Sequence, residues 1–358
     1  MLPVKSISDE KCAHSFWART IAGTALRLCL PILTATTMLL SGAPRSGAQT
    51  PEVRPLSFEV KITLGDVRGR IDHMAIDVAR NRLFVAELGN DTVGVVDLNS
   101  RRVIHRIREL REPQGVGYEP SADTLYVANG GDGSVRMYDA ADFKETGRIE
   151  LRNDADNVRI DPGANRVLVG FGDGAIAAID AVKKSKFSAF AVPAHPEGFQ
   201  LDRKTNRIFV NVPKSRAVVV LDAATGGQTA MWPMTGAGGN FAMAFDDEAQ
   251  RVLVAFRAPA RLDAFSAIDG RNMANVDLCG DADDVFVDAK RRRAYVSCGQ
   301  GFIDVIDIHD SRYSRSARIP TIPGARTSYF EPSIDRLFVA ARATSSEPAA
   351  IWVFSAVP

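Results

Sequence analysis

Cysteine is scarce: four residues in a chain of 358, too few for a disulfide-held miniature fold. Neither sign of charge is in excess. Lys and Arg number 44 against 43 Asp and Glu, a formal net charge of +1. That balance excludes the basic footprint of a dedicated nucleic-acid binder. No C-x-x-C-H occurs, so covalently attached haem is excluded. No H-E-x-x-H occurs either, so the common zinc-protease helix is absent. What is present is average: 46% apolar and 24% charged residues, which argues against disordered and collagen-like chains.

Residues 1–48 read as an export signal. Lys5, Lys11, Arg19 and Arg27 precede an apolar run over residues 28–40. Thirteen residues are short of the roughly 20 that span a bilayer. Ser46-Gly47-Ala48 resembles a cleavage site before Gln49; an uncleaved anchor is the alternative. The leader has no twin arginine, and no Cys that would carry a lipid follows residues 39–42. The mature domain is expected at residues 49–358, periplasmic or secreted, with no stable membrane span. The leader holds five basic and two acidic residues, so the rest carries a net charge of −2. Of the cysteines, Cys279 and Cys298 remain. In an oxidising compartment they are expected to pair, two buried thiols being the alternative.

One pattern recurs seven times. It reads RLFV to Val85, TLYV to Val127, RVLV to Val169, RIFV to Val210, RVLV to Val254, RAYV to Val296 and RLFV to Val339. The spacings are 41–44 residues. Each copy divides into four short β segments with Gly, Asp and Asn turns between them. The third segments end alike, in VGVVD at Asp97, VRMYD at Asp139, IAAID at Asp180, VVVLD at Asp222 and IDVID at Asp307. LDAFS at Ser266 and IWVFS at Ser355 depart from this. Four strands per unit of about 42 residues predict an all-β, seven-bladed β-propeller of four-stranded blades. The chain stops after the third strand of its last copy and begins with an orphan strand at residues 58–64. That N-terminal strand is expected to join the last blade and close the ring.

The units at residues 82–107 and 125–151 (LYVANGGDGSVRMYDAADFKETGRIEL) closely resemble the YVTN repeat of YncE-like exported propellers. The resemblance spans residues 58–358. It implies a seven-bladed, extracytoplasmic propeller with no assigned reaction. Some relatives bind nucleic acid or protein partners, and related propellers are lactonases. The WD dipeptide is absent, which turns the reading away from a WD-repeat adaptor.

Propeller ligands bind where the starts of the innermost strands converge. Thirteen residues before each repeat valine lie Asp72, Gln114, Asp156, Glu197, Phe241, Asp283 and Arg326. His73, Asn157 and Asp284 follow ring members, while Asn240 and His195 come just before them. These residues form a candidate ligand-binding mouth rich in carboxylates. Asp72, His73, Asp156, Glu197 and Asp283 could hold a divalent ion, Ca²⁺ or Zn²⁺. The leading expectation is a monomeric scaffold that binds a small molecule, an ion or a protein. A metal-assisted hydrolase of lactonase type is the alternative, with a spare carboxylate as base. Single-stranded nucleic-acid binding, through arginines such as Arg291-Arg292-Arg293 on the opposite face, ranks last; nucleic acid is not the expected partner.

Overall fold

The computed structural model describes residues 54–309 and 312–358. The expected leader and its cleavage site lie outside them. The described residues form 28 strands in seven antiparallel sheets of four. Helical structure among them is confined to three short 3-10 turns. No helix there is long and apolar enough to cross a membrane. The first six blades are consecutive, at residues 74–107, 113–150, 155–191, 199–233, 238–277 and 282–320. The seventh combines Ser328–Glu331, Arg336–Ala341 and Ala349–Ala356 with Leu56–Gly65, which pairs with the last of these as its outer edge. Each innermost strand lies beside that of the next blade, and the strand of blade 7 lies beside that of blade 1.

Burial follows the radial position of each strand. The second strand of blade 1, Arg82–Glu87, is covered on both faces, so it reads as an apolar run, with Leu83, Phe84, Val85 and Ala86 fully buried. The outermost strand, Arg102–Ile107, is largely exposed. Seven hydrophobic clusters fill the structure, and each is built mainly from two adjacent blades. Phe84, Val93 and Val95 of blade 1, for example, meet Val116, Leu125 and Val127 of blade 2. The core therefore lies in the seams. Each large side chain buried there contributes about 1.5–3 kcal/mol.

The repeat arginine ties the seams. Arg82 Nη1 donates to Ala140 O at 3.1 Å, Arg207 Nη1 to Ala267 O at 2.5 Å and Arg293 Nη1 to Val357 O at 2.6 Å. Arg166 makes the same bond to Ala223 O. Each reaches just past the third strand of the following blade. Blade 2 has Thr124 in place of the arginine, and the buried Tyr126 hydroxyl donates instead to Ala181 O at 3.3 Å. Hydrogen bonds from charged groups contribute about 1.5–3 kcal/mol each.

The turn before each repeat has a second shared feature. Asn81, Asp123, Asn165, Asn206, Gln250, Arg292 and Asp335 all hold φ between 45° and 55°. Five of the seven are Asn or Asp, the residues that best tolerate this left-handed conformation. Arg292 thus stands at a turn position, while Arg291 pairs with Asp288 and Asp335 and Arg293 ties a seam. The basic run serves blade geometry.

Cys279 and Cys298 are joined as a disulfide with Cα atoms 5.8 Å apart. Cys279 lies beyond the outer strand of blade 5, which ends at Asp277. The bridge thus fastens the chain that leads into blade 6.

Asn206 is exposed, so Asn206→Val should lower stability by about 1–2 kcal/mol through backbone strain alone, while Asn206→Gly stays within a few tenths. Thermal unfolding of the two variants checks this; equal melting temperatures would contradict it. Opening the 19-residue disulfide loop in the double variant Cys279→Ala/Cys298→Ala should cost about 3 kcal/mol in denaturant unfolding.

Candidate functional site

The starts of the innermost strands carry a repeated irregularity. In blades 2, 3, 5 and 6 the register breaks around Gln114, Asp156-Asn157, Phe241-Ala242 and Asp283. In blades 1 and 4 the strand proper begins after the same point, but the pairing continues. Asp72 N donates to Ala86 O at 2.7 Å, and Glu197 N to Asn211 O at 2.9 Å. A bulge re-aims side chains that a regular strand would send sideways into the seam.

His73 stands among three carboxylates. Its Nε2 lies 3.8 Å from Asp72 Oδ1 and 3.9 Å from Asp156 Oδ1, and its Nδ1 lies 3.7 Å from Asp284 Oδ1. These three acids come from blades 1, 3 and 6, and all are buried. Asp72 Oδ2 accepts a hydrogen bond from Arg70 at 2.5 Å, and Asp284 Oδ2 accepts one from Ser328 N–H at 2.8 Å. Among the described residues, Asp156 Oδ1 has no hydrogen-bond partner, and neither does the buried Asn157 Oδ1.

A second group is balanced internally. Asp283 meets Arg326 Nε at 2.9 Å and also Arg257. Asp281 bridges the same two arginines at 3.0 and 3.2 Å. Arg257 lies 3.9 Å over the Phe241 ring. Among the described residues, the Glu197 carboxylate forms no ion pair.

Burial dominates the protonation of these acids. Asp156 is pushed up to about 7 by burial, with the neighbouring Asp72 and Glu197 charges adding to the effect. Glu197 is also pushed up to about 7, by burial and then by Asp283. Burial raises Asp283 despite its two arginines. Asp284 lies well above the ordinary carboxylate range, through burial and then Asp283.

A narrow cavity of about 40 Å³ runs among the innermost strands, lined by His73, Asn157, Arg159, Glu197, Gln200, Asp283, Asp284 and Phe286 among others. It has room for a few waters or one small ion. Several lining residues alternate along their strands, as Asn157 and Arg159 or Asp284 and Phe286 do, so period two would have found Arg159 and Gln200. Arg70, Asp281 and Arg257 were missed because they lie off the ring position.

Other expected members stand elsewhere. Asn240 is fully buried and donates to Asn211 Oδ1 at 3.3 Å and Ala217 O at 3.0 Å, so it braces a blade and does not face the mouth. His195 turns its Nδ1 to Gly172 O at 2.7 Å, with Asp154 Oδ2 at 3.5 Å. Gln114 Nε2 reaches Asp154 Oδ1 at 3.3 Å. These two form a rim group with Asp154. Asp283 and Asp284 lie within the innermost strand Ala282–Asp288 and not in a loop. No group of three or more His, Cys, Asp or Glu side chains among the described residues is already drawn to metal-ligand spacing.

Fold and ring together define a seven-bladed β-propeller with a charged channel mouth. No family model matches the sequence, and no curated protein matches it. Among solved structures it is similar to a chain of the hydrazine synthase of Kuenenia stuttgartiensis, at 16% identity and a TM-score of 0.71, covering 82% of this chain and 97% of that one. It is similar also to a chain of a mitotic checkpoint complex, at 15% identity and a TM-score of 0.72, covering 89% and 98%. At these identities the likeness is one of fold.

Glu197 supplies a test of the electrostatics. Its raised pKa means that the folded state holds the proton more tightly than the unfolded chain. That stabilisation is complete below about pH 4.5 and is lost as pH rises through about 7. Glu197→Gln should therefore be more stable than wild type at pH 8, on the order of 2 kcal/mol, with the difference fading towards pH 4.5. Parallel unfolding curves for the two proteins across that range would contradict it.

Proposed function

We propose that this chain is an exported, monomeric propeller of the YVTN, YncE-like kind, and that it works as a binding scaffold whose channel mouth receives a positively charged group. One observation carries the reading: among the described residues, Asp156 and Glu197 are carboxylates of the inner ring in no ion pair with Lys or Arg, while Asp283 beside them is paired with Arg257 and Arg326. A cation is the ligand chemistry that offsets such burial. The export signal and the YVTN-like repeats support the extracytoplasmic part of the proposal.

The cavity beside Glu197 favours a small ligand. About 40 Å³ is far below the roughly 300–1,000 Å³ of pockets that enclose a small-molecule substrate. A small ion fits, and so does the tip of a cationic side chain presented by a partner. Fold likeness alone assigns no reaction.

The test uses spermidine, arginine amide and a lysine-rich peptide as probes at pH 8. At least one should raise the melting temperature of the wild type through linkage, with acidic counterparts inert. The double variant Asp156→Asn/Glu197→Gln should lose that response. If no cationic probe binds, or the variant responds like wild type, the proposal is wrong.

A further inference from the structure

His73 is the only imidazole among the described residues that faces carboxylates through both ring nitrogens. The two sides of its ring differ. Asp72 Oδ1 and Asp156 Oδ1 converge on Nε2 from different blades, while Nδ1 faces Asp284 alone. The outer oxygens are held as well. Arg70 binds Asp72 Oδ2, and Ser328 N–H binds Asp284 Oδ2. Asp156 is 8% exposed, and its Oδ1, the atom aimed at the imidazole, has no hydrogen-bond partner.

We infer that His73 Nε2, Asp72 Oδ1 and Asp156 Oδ1 form a three-ligand site for a divalent transition-metal ion of the zinc class, with Asp284 as the positioning residue that fixes the imidazole through Nδ1. This deepens the cation-binding reading of the mouth and rests on it. The donor set decides the metal class: one imidazole and two carboxylates suit zinc or cobalt, whereas calcium takes oxygen alone. The two separations from His73 Nε2 are close to what a metal requires. Bonds of about 2.0–2.2 Å place tetrahedral ligands about 3.3 Å apart. The separations of 3.8 and 3.9 Å need to close by about half an ångström, a small side-chain adjustment. Metal charge would neutralise the two acids that converge on Nε2 and satisfy the orphaned Asp156 oxygen. The Asp284 carboxylate stands 3.7 Å from Nδ1, beyond hydrogen-bond distance, and has to close by about 0.8 Å to serve as the outer shell that metal-binding histidines ordinarily have.

The experiment takes the purified full chain, strips it with a chelator, and titrates it first with Co²⁺ and then with Zn²⁺. Wild type should bind one equivalent of Co²⁺ with a visible absorption band, and Zn²⁺ should abolish the band. His73→Gln should lose it, and Asp156→Asn should weaken binding at least 100-fold. Asp284→Asn should weaken binding about 10–100-fold at unchanged stoichiometry. His105→Gln, in the outer strand of blade 1 where its imidazole stacks on Phe143, should bind like wild type. Circular dichroism of each variant verifies folding. A wild type that takes up no cobalt overturns the inference whatever the variants do, as does cobalt binding that survives His73→Gln or is lost in His105→Gln. If cobalt fails while an organic cation still binds at the mouth, only the metal assignment falls. If both fail, the scaffold reading falls with it.

Discussion

A four-stranded sheet with two apolar faces has to be covered on both sides, and this requirement organises the whole molecule. No blade here has a core of its own. Phe84 of blade 1 is buried only because blade 2 lies against it, and each of the seven clusters has the same dependence. The seams therefore form a cycle in which each blade shields the next. The last seam relies on the N-terminal strand Leu56–Gly65, whose Ile62 and Leu64 belong to the cluster between blades 7 and 1. At that seam the repeat arginine behaves differently: Arg336 turns to Glu59 of the closing strand at 3.0 Å. The pairing there ties the two ends of the chain within one blade.

Closing the ring has an electrostatic consequence. Seven strand starts are forced towards one axis, and any charge they carry is brought close to the others with little water between. The response varies around the ring. At blades 5 to 7, Arg257 and Arg326 clamp Asp281 and Asp283. At blade 1, Arg70 holds Asp72. At blades 3 and 4, Asp156 and Glu197 form no ion pair with Lys or Arg among the described residues, and burial pushes both up to about 7. Even the paired Asp283 is held above its ordinary range, so desolvation exceeds the attraction of two guanidinium groups. The mouth is thus electrically lopsided, and the unbalanced side is where an external cation gains most.

The blades and their register were legible in the sequence because a repeat is a long-range signal. Seven copies of an Arg-or-Thr, apolar, apolar, Val unit locate the second strand of every blade, and a fixed offset from each valine reaches the inner ring. That offset falls on Asp72, Asp156, Glu197 and Asp283, whose charges act on one another. It failed for Asn240, one residue earlier. That position points back into the seam, and its other occupants (Ile71, Pro113, Ala155, Pro196, Ala282 and Ala325) are apolar and buried. The pattern was visible in the sequence, but Asn240 was read by its polarity and not by its column. Arg257 was hidden for another reason. It extends from the second strand of blade 5, which runs to Ala258, past the usual six residues. Such an irregular extension has no counterpart in the repeat.

Those two neighbouring columns divide the demands on the chain. The buried column must suit the seam, so it is restricted to small or apolar residues, with Asn240 tolerated because Asn211 and Ala217 accept from its amide nitrogen. The ring column, re-aimed by a bulge in blades 2, 3, 5 and 6, contributes no member to the seven clusters. It holds Asp, Gln, Asp, Glu, Phe, Asp and Arg in turn, a variety that seam packing would not permit. A substitution at the ring therefore changes the field at the mouth while leaving the seven clusters intact. Stability spread over seven seams can also absorb a few kcal/mol of unfavourable buried charge at one point. The propeller thus separates the residues that hold it together from those free to bind, and the uncompensated acids of blades 3 and 4 fall in the second set.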